Sequence, residues 1–471
     1  MRLVFVLCCL CYASLSHAQL PTPVMQALQA EGITPDQVSV WVQRLDDGKL
    51  LFSHEAQVPR NPASVIKLLT SYAALDLLTP NFRWNTQFYT RAAIQSGKIS
   101  SGLWVRGSGD PSLSDTDLYN VASEIRQKWA VQEICCQLWL DSSAYKPSAF
   151  NPAAFDGKPY RAYNAPAEAI MLNQQSLRVE FSVNSKNADS KTLSTVLFPD
   201  LPGLKKKFDI ALSQDDCGEW KERLQVKRDG DTLSIKGSYA ADCGDKYLDI
   251  YWQDGQDFFA RGWQTAWANA SGTGAHANTL KWSAGSVPND AWLLHEHISK
   301  PLADIVRDMN KTSNNVVARA LYLALARYAD ASQPASEALA ERALRDWLQA
   351  KNWNFSELVL ENGSGLSRLE RINAEHLGLV LSHAFHSPVM PELLSSLPVY
   401  GLDGTLKSRK DAVLYGKAHL KTGSLEQVRA IAGYMLDKQG RRYALVWMVN
   451  GERAQRSKAA QEAMLNWLYQ Q

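Results

Sequence analysis

Three short polar clusters carry side chains suited to catalysis. Ser64 precedes Lys67 by three residues, Ser313 precedes Asn315 by two, and a third cluster reads Lys421-Thr422-Gly423. A serine hydroxyl needs a base to become a nucleophile at neutral pH, and residues three apart share one face of a helix. The first cluster therefore predicts a serine activated by a lysine amine. The second and third supply a relay hydroxyl, an amide and a cation for an anionic substrate.

The local context of Ser64 favours the start of a helix. Pro62 suits a first helical turn, and the apolar pattern of residues 64–78 continues it. Unpaired amides and the positive end of the helix dipole stabilise developing negative charge there. Lys67 must be neutral to act as a base, so its pKa has to be lowered by burial or by a neighbouring cation. Lys421 is the candidate for that cation.

The third cluster closes a strand-like run. The glycine at position 423 lets a ligand approach the backbone closely. An extended substrate can pair with the edge of such a strand. Its carboxylate would be held by Lys421 and by the hydroxyls of Thr422 and Ser424. The amides of Ser424 and Ser64 are the predicted oxyanion hole.

Similar spacings elsewhere in the chain are attributed to chance. Ser143 and Lys146 repeat the first spacing, but Pro147 ends any helix there. Residues 182–184 imitate the cluster at Ser313, but they lie in a polar turn region. The order of the three clusters and their context identify them, because each match alone is weak evidence.

Other kinds of site have little support. The chain contains no G-x-S-x-G sequence, which argues against an α/β-hydrolase. His295 and His297 lack the four-residue spacing of a zinc helix. His376, His383 and His386 share one helical stretch and could meet at a metal, but packing and surface roles are favoured. We therefore expect no metal and no cofactor.

The first 18 residues are predicted to be a cleaved signal peptide. A positive residue at position 2, an apolar run over residues 3–13 and small residues around position 18 fit this pattern. No cysteine in this segment has the context of a lipid anchor, and no later stretch approaches a membrane span. We expect an exported, periplasmic protein without a stable membrane anchor. Cleavage leaves 49 basic and 48 acidic residues, a balance that argues against nucleic acid as partner.

Four cysteines remain after cleavage. Cys217 and Cys243 flank two strand-like runs joined at residues 229–231, so a hairpin would bring them together as a disulfide. Cys135 and Cys136 are adjacent and precede another strand-like run. They are expected to be buried thiols within a strand rather than a second bridge.

The distribution of strands and helices predicts a split domain of the α+β class. Strand patterns at both ends of the chain enclose helical patterns that return from about residue 300. Residues 19–85 and 295–471 are expected to form one domain with an antiparallel sheet and helices. Residues 86–294 form a β-rich insert, expected to comprise two nested subdomains with the inner one at about 172–270.

With these features the chain resembles the low-molecular-mass class C penicillin-binding proteins, the D-alanyl-D-alanine carboxypeptidase/endopeptidases. The resemblance covers nearly all of residues 19–471, and the long gap between Lys67 and Ser313 separates it from β-lactamases. Beyond the three clusters it rests on the strings at residues 62–64, 107–111, 140–142, 363–368, 401–404 and 432–434.

The resemblance implies a serine β-lactamase/transpeptidase-like fold and a reaction on peptidoglycan stem peptides. Ser64 would be acylated, with Lys67 as base and Ser313 as proton relay. Asn315 would contact the substrate amide, and Lys421 would serve the relay and the substrate carboxylate. β-Lactam antibiotics would acylate the same serine as covalent inhibitors.

Some implications of the resemblance remain open. Asp141 and Arg368 match positions that contact the stem peptide or its diamino acid, but a turn-forming aspartate and a surface arginine are equal alternatives. Asn314 stands where aspartate is common, and Glu426 stands where some relatives have glutamine. A β-lactamase or esterase on the same scaffold and a non-catalytic cell-wall binding protein are the alternative functions. The sequence does not fix an oligomeric state.

Overall fold

The computed structural model describes residues 19–147, 150–185, 191–272 and 281–471. The predicted signal peptide, residues 1–18, lies outside this part. The α-helices are α1 (Thr22–Ala30), α2 (Lys67–Leu78), α3 (Asp115–Trp129), α4 (Gly255–Ser271), α5 (Leu302–Thr312), α6 (Asn315–Ala329), α7 (Glu337–Ala350), α8 (Ala374–Phe385), α9 (Met390–Ser396) and α10 (Lys458–Tyr469).

The strands alternate with these helices along the chain. They are β1 (Val38–Arg44), β2 (Leu50–His54), β3 (Asn85–Thr90), β4 (Lys98–Ile99), β5 (Leu103–Gly107), β6 (Glu133–Ile134), β7 (Gln137–Asp141), β8 (Ser176–Ser185), β9 (Lys191–Phe198), β10 (Lys205–Ser213), β11 (Leu224–Asp229), β12 (Thr232–Ala240), β13 (Lys246–Tyr251), β14 (Lys281–Ala284), β15 (Trp292–Ile298), β16 (Ala418–Leu425), β17 (Val428–Leu436) and β18 (Arg442–Asn450).

Both ends of the chain build one antiparallel sheet in the order β16-β17-β18-β1-β2. Its three central strands, β17, β18 and β1, are buried on both faces along most of their length, and helices cover both faces. In β18, Leu445 and Trp447 pack with α1 and α10, whereas Val446 and Met448 pack with α2, α6 and α8. This period-two division explains why the strand reads as a continuous apolar run.

The insert leaves and returns on neighbouring strands. β3 follows α2, β15 precedes α5, and Asn85 lies opposite Ile298 in their antiparallel pairing. These strands belong to a second five-stranded sheet, β14-β7-β5-β3-β15, which packs on α3 and α4. This second sheet therefore contains the first and the last strand of the insert, next to the domain formed by the two ends of the chain.

Two three-stranded sheets, β13-β8-β9 and β10-β12-β11, form the inner part of the insert. They pack against each other, with Phe181 stacked on Tyr239 at 4.9 Å between ring centroids. The expected inner subdomain, about 172–270, also included α4. That helix packs on α3 beside the five-stranded sheet, and its Arg261 also pairs with Asp231, in the turn between β11 and β12, at 2.5 Å.

The structure contains two disulfides. Cys217 and Cys243 are bonded as expected, across the antiparallel pair β11–β12. Cys135 and Cys136 are bonded to each other, so the expectation of buried free thiols was wrong. β7 begins only at Gln137, and the pair lies in the partly exposed bend before it.

Within the part of the chain that the structure describes, no helix is both long enough and apolar enough to cross a membrane.

Candidate active site

Ser64 lies in a tight turn at the start of α2. Residues 63–66 form a 3-10 turn that leads directly into the α-helix at Lys67, so the expected first helical turn is tighter than an α-helix. Two glycines pack against this turn. A Cβ added at Gly365 would lie 2.7 Å from the Ser64 amide nitrogen, and one at Gly423 would lie 3.1 Å from the same atom. The loop at Gly365 and the strand β16 at Gly423 approach the serine this closely only because they carry glycine.

The amine of Lys67 connects two of the three clusters. Its Nζ lies 3.0 Å from the Ser64 hydroxyl and 2.7 Å from Asn315 Oδ1, and it also donates to the Ser364 carbonyl. Burial, and then the positive charge of Lys421, hold the pKa of Lys67 well below its ordinary value. A neutral amine beside a hydroxyl can accept its proton, as the base role requires.

The junction of α5 and α6 presents the second cluster. Ser313 ends α5 in a left-handed conformation, with φ of 59°. Asn314 then caps α6, because its side chain accepts from the Val317 amide at 3.1 Å. This sharp change of direction points Ser313 toward Lys421 and starts α6 with Asn315 beside Lys67.

Lys421 is fully buried in the edge strand β16. Its Nζ donates to the Ser313 hydroxyl at 2.7 Å and to the Thr422 carbonyl at 2.8 Å. Burial lowers its pKa to about 7, so both protonation states are populated near neutral pH. Lys421 thus contacts Ser313, at one end of the second cluster, and Lys67 contacts Asn315, at the other end.

The third cluster lines the open edge of β16. The Leu420 amide donates to the Pro398 carbonyl outside the sheet. By the alternation of an antiparallel strand, the amides of Thr422 and Ser424 also point outward. The Thr422 hydroxyl donates to that of Thr405 at 2.7 Å. The strand thus offers backbone and hydroxyl groups to an extended ligand beside Ser64.

One protein family matches nearly the whole chain. Residues 21–471 match the D-Ala-D-Ala carboxypeptidase 3 (S13) family. The chain belongs to that family. The expected resemblance to low-molecular-mass penicillin-binding proteins is confirmed.

Relatives of this S13 protein cover most of its length. D-alanyl-D-alanine carboxypeptidase DacB of Haemophilus influenzae is 26% identical over 393 residues, covering 83% of this chain and 80% of the relative. D-alanyl-D-alanine carboxypeptidase of an Actinomadura species is 24% identical over 440 residues, covering 88% and 78%.

Solved structures share the fold. The crystal structure of penicillin binding protein 4 (dacB) from Haemophilus influenzae matches with a TM-score of 0.77 and 24% identity, covering 95% of this chain and 99% of that one. A second structure of that protein, complexed with a β-lactam, matches with a TM-score of 0.72 and 23% identity over 95% and 100%. The expected α+β fold with a nested β-rich insert is confirmed.

Asp141 makes its polar contacts within the insert of this S13 protein. Its carboxylate accepts from Arg106 at 2.9 Å and from the Val287 and Ser143 amides at 2.9 and 3.0 Å, and the residue is 2% exposed. The structure does not bring it together with the three clusters. These contacts favour the structural alternative for Asp141.

Arg368 lies at the exposed end of the loop that contacts Ser64. Its guanidinium is 3.6 Å from the Glu426 carboxylate and packs over the Phe155 ring of the insert at 5.1 Å. Ser424, on the adjacent strand, donates to Gln455 at 3.0 Å. Arg368 also donates to the Phe155 carbonyl at 3.4 Å, so it links this loop to the insert.

Two buried charges near Lys67 escaped the sequence analysis. The Glu370 carboxylate accepts from the amides of residues 361, 362 and 363 at 3.1–3.3 Å, which orders the loop leading to Ser364. Arg319, one turn after Asn315, donates to the Tyr163 and Ala165 carbonyls of the insert. The sequence does contain a signal for Arg319, because an arginine inside the apolar stretch of α6 is unusual. No sequence pattern marks Glu370 as buried.

The histidines do not converge on a metal site. His376 lies 2.6 Å from Glu357, His383 lies 2.6 Å from the Tyr72 hydroxyl, and His386 lies 2.8 Å from the Ser382 carbonyl. In the described ranges, no three metal-ligating side chains come together.

Proposed function

We propose that this chain is a serine-type D-Ala-D-Ala carboxypeptidase that acts on peptidoglycan stem peptides through an acyl-enzyme on Ser64. The observation that carries the proposal is the buried Lys67 amine, 3.0 Å from the Ser64 hydroxyl. Membership of the S13 family and the named activity of its relatives support the substrate class.

Acylation begins when neutral Lys67 accepts the Ser64 proton. The serine oxygen then bonds to the carbonyl carbon of the penultimate D-alanine, and negative charge moves to the carbonyl oxygen. The amides of Ser64 and Ser424 stabilise that charge. When the C–N bond breaks, the leaving amine takes a proton from Lys421 through the Ser313 hydroxyl, which is 2.7 Å from Nζ.

Substrate position is set by the edge of β16 and by Asn315. The stem peptide pairs with the outward amides of the strand, and Asn315 holds the substrate amide beside Lys67. The terminal carboxylate binds the hydroxyls of Thr422 and Ser424 and the positive charge of Lys421. Water then attacks the acyl-enzyme and gives its proton through the Ser313 hydroxyl to Lys421, which lost one during acylation. As the ester C–O bond breaks, Lys67 returns its proton to the Ser64 oxygen, so both lysines regain their starting states.

The same site accommodates two further reactions. When the leaving amine belongs to the crosslink of a neighbouring stem, acylation opens that crosslink, which is endopeptidase action. A β-lactam has a strained amide and a carboxylate in comparable positions, so it acylates Ser64 and inhibits the enzyme. The β-lactam complex of the Haemophilus influenzae protein supports this extension.

We place the protein in the periplasm. The predicted signal peptide at residues 1–18 supports export. The Cys217–Cys243 and Cys135–Cys136 disulfides agree with an oxidising compartment.

Mass spectrometry of digested muropeptides tests the proposal. The wild-type protein and the Ser143→Ala variant, which lacks the serine of the chance match, should release D-alanine and open crosslinks. Ser64→Ala should do neither. Products that persist with Ser64→Ala would contradict the mechanism, and no products from wild type would favour a non-catalytic binding protein. Rapid turnover of a labelled penicillin would favour a β-lactamase.

A further inference from the structure

The inner sheet β10-β12-β11 has two chemically different faces. Apolar side chains on one face pack into the core of the insert. They are Phe208, Ile210, Leu224, Val226, Leu233 and Ile235. The opposite face is polar and exposed. Because side chains alternate along a strand, each strand contributes to both faces.

Four lysines lie on the exposed face: Lys205, Lys207, Lys227 and Lys236. The strand register places Lys207 and Lys227 on either side of Ser234. Neighbouring strands are about 4.8 Å apart, so these two lysines stand about 10 Å apart with a hydroxyl between them. Lys236 follows Ser234 on the same face of the central strand. The face forms a shallow groove lined by Lys207, Lys227, Ser234 and Lys236, together with Asp209 and Gln225.

Two carboxylates share this face: the register places Asp209 opposite Lys236 and Asp229 opposite Thr232. Four lysines and two aspartates leave the face with a net charge of +2. Within the described part of the chain, none of the four has a carboxylate within ion-pair distance, although Lys206, at the sheet margin, pairs with Asp200 at 3.0 Å. On the partner sheet of the sandwich, Arg178 pairs with Asp249 at 2.8 Å and stacks on Tyr247. The chain is nearly neutral overall, so this face is a local excess of positive charge.

We propose that this lysine face binds the carboxylate-bearing strands of polymeric peptidoglycan. The proposal rests on the proposed function and adds a second contact outside the active site. A single stem peptide occupies only the Ser64 site, whereas a polymer also reaches the lysine face. Binding there raises the effective concentration of stems at the active site. Spaced ammonium groups with a central hydroxyl suit carboxylates repeated along an extended strand.

The test compares two triple variants with the same change in net charge. Lys207→Gln/Lys227→Gln/Lys236→Gln removes the lysine face. Lys246→Gln/Lys438→Gln/Lys458→Gln removes three exposed lysines elsewhere. Each is made in the full chain with Ser64→Ala, so that purified sacculi stay intact during co-sedimentation. The face variant should bind sacculi about tenfold more weakly at low salt and lose most of its salt dependence, because exposed charges are screened by salt. The control should bind like its parent.

The same triple variants with Ser64 intact separate this proposal from the proposed function. Penicillin acylation and hydrolysis of soluble muropeptides should be unchanged in the face variant, while release of D-alanine from sacculi falls. Absence of acylation in wild type would refute the proposed function and leave the binding result standing.

Three outcomes would overturn the lysine-face proposal. One is equal binding by the face variant and the control. A second is undiminished binding to sacculi whose carboxylates have been amidated. The third is tighter binding to vesicles of anionic phospholipid than to sacculi, which would assign the face to a membrane surface.

Discussion

Gln174 in the insert accepts a hydrogen bond from the side-chain amide of Asn314 at 2.6 Å. Asn314 is the middle residue of the second cluster, and its other side-chain atom caps α6. Residues 173–175 all have positive φ, between 44° and 58°. Such a run is strained and persists only when its surroundings hold it. The insert therefore contributes directly to the position of Ser313 and Asn315.

This contact predicts a pattern of charge changes. Asn314→Asp still caps α6, and Gln174 can rotate its amide to donate to it. Gln174→Glu still accepts from Asn314. Each single variant should acylate with penicillin within about threefold of wild type. The double variant places two carboxylates together, and like charges in contact are strongly unfavourable. Its rate of acylation by penicillin should therefore fall at least about tenfold. Lower pH should restore part of that loss, and additive effects of the two changes would contradict the coupling.

The pKa of Lys421 predicts how activity depends on pH. The mechanism needs Lys421 protonated to bind the substrate carboxylate and donate a proton, and burial lowers its pKa to about 7. The value of kcat/KM for a D-Ala-D-Ala peptide should therefore fall as the pH rises from about 7 to about 9. The Lys421→Arg variant keeps its positive charge over this pH range. It should be less active than wild type, but its kcat/KM should not fall between about pH 7 and about pH 9. The same fall in both proteins would assign it to another group.

The burial of Lys421 also predicts a gain in stability when its charge is removed. A lowered lysine pKa means that the unfolded chain binds more protons between about pH 7 and the ordinary lysine pKa. The penalty from Lys421 is therefore full below about pH 7 and shrinks as pH rises. Lys421→Met should stabilise the fold by about 2 kcal/mol at pH 6 and by less at pH 9. Thermal unfolding at both pH values measures this, with the exposed Lys417→Met as a control expected to show no such change.

The close approach of Gly365 to the Ser64 turn predicts a selective loss of acylation. Gly365 has φ of 81°, and an added Cβ would lie 2.1 Å from the Ala63 carbonyl oxygen. Gly157 has a similar φ of 72°, with no atom within 4 Å of an added Cβ. Both alanine variants should lose about 1 kcal/mol of stability from backbone strain, and Gly365→Ala should lose more because its Cβ overlaps the Ala63 carbonyl oxygen. Only Gly365→Ala should lose acylation, by about 100-fold, in penicillin-binding assays. Equal acylation by the two variants would show that the contact does not position Ser64.

Much of the framework was predictable because local patterns determine it. The strand patterns at both ends of the chain correspond to strands of one sheet, and the order of the three clusters predicts which side chains meet. The Cys217–Cys243 bridge followed from a hairpin that the register confirms. These features depend on periodicity and short-range geometry, which a single sequence carries.

Other features depend on contacts between distant segments. The left-handed conformation of Ser313 occurs at a non-glycine residue, and the Lys421 amine that its hydroxyl meets lies 108 residues further along the chain. Gln174 and Asn314 are 140 residues apart, and no local pattern links them. The buried Glu370 likewise acts only after the loop at residues 361–363 folds over it. Tertiary packing decides these positions.

The central claim is that Ser64 is the nucleophile activated by Lys67. Peptide mapping by mass spectrometry after incubation with penicillin tests it most directly. Wild type and Ser143→Ala should carry one penicilloyl group on the peptide that contains Ser64, and Ser64→Ala should carry none. Lys67→Met should form the adduct at least about 1,000-fold more slowly, because the hydroxyl then lacks its base. An adduct on any other serine, or undiminished labelling of Ser64→Ala, would contradict the account.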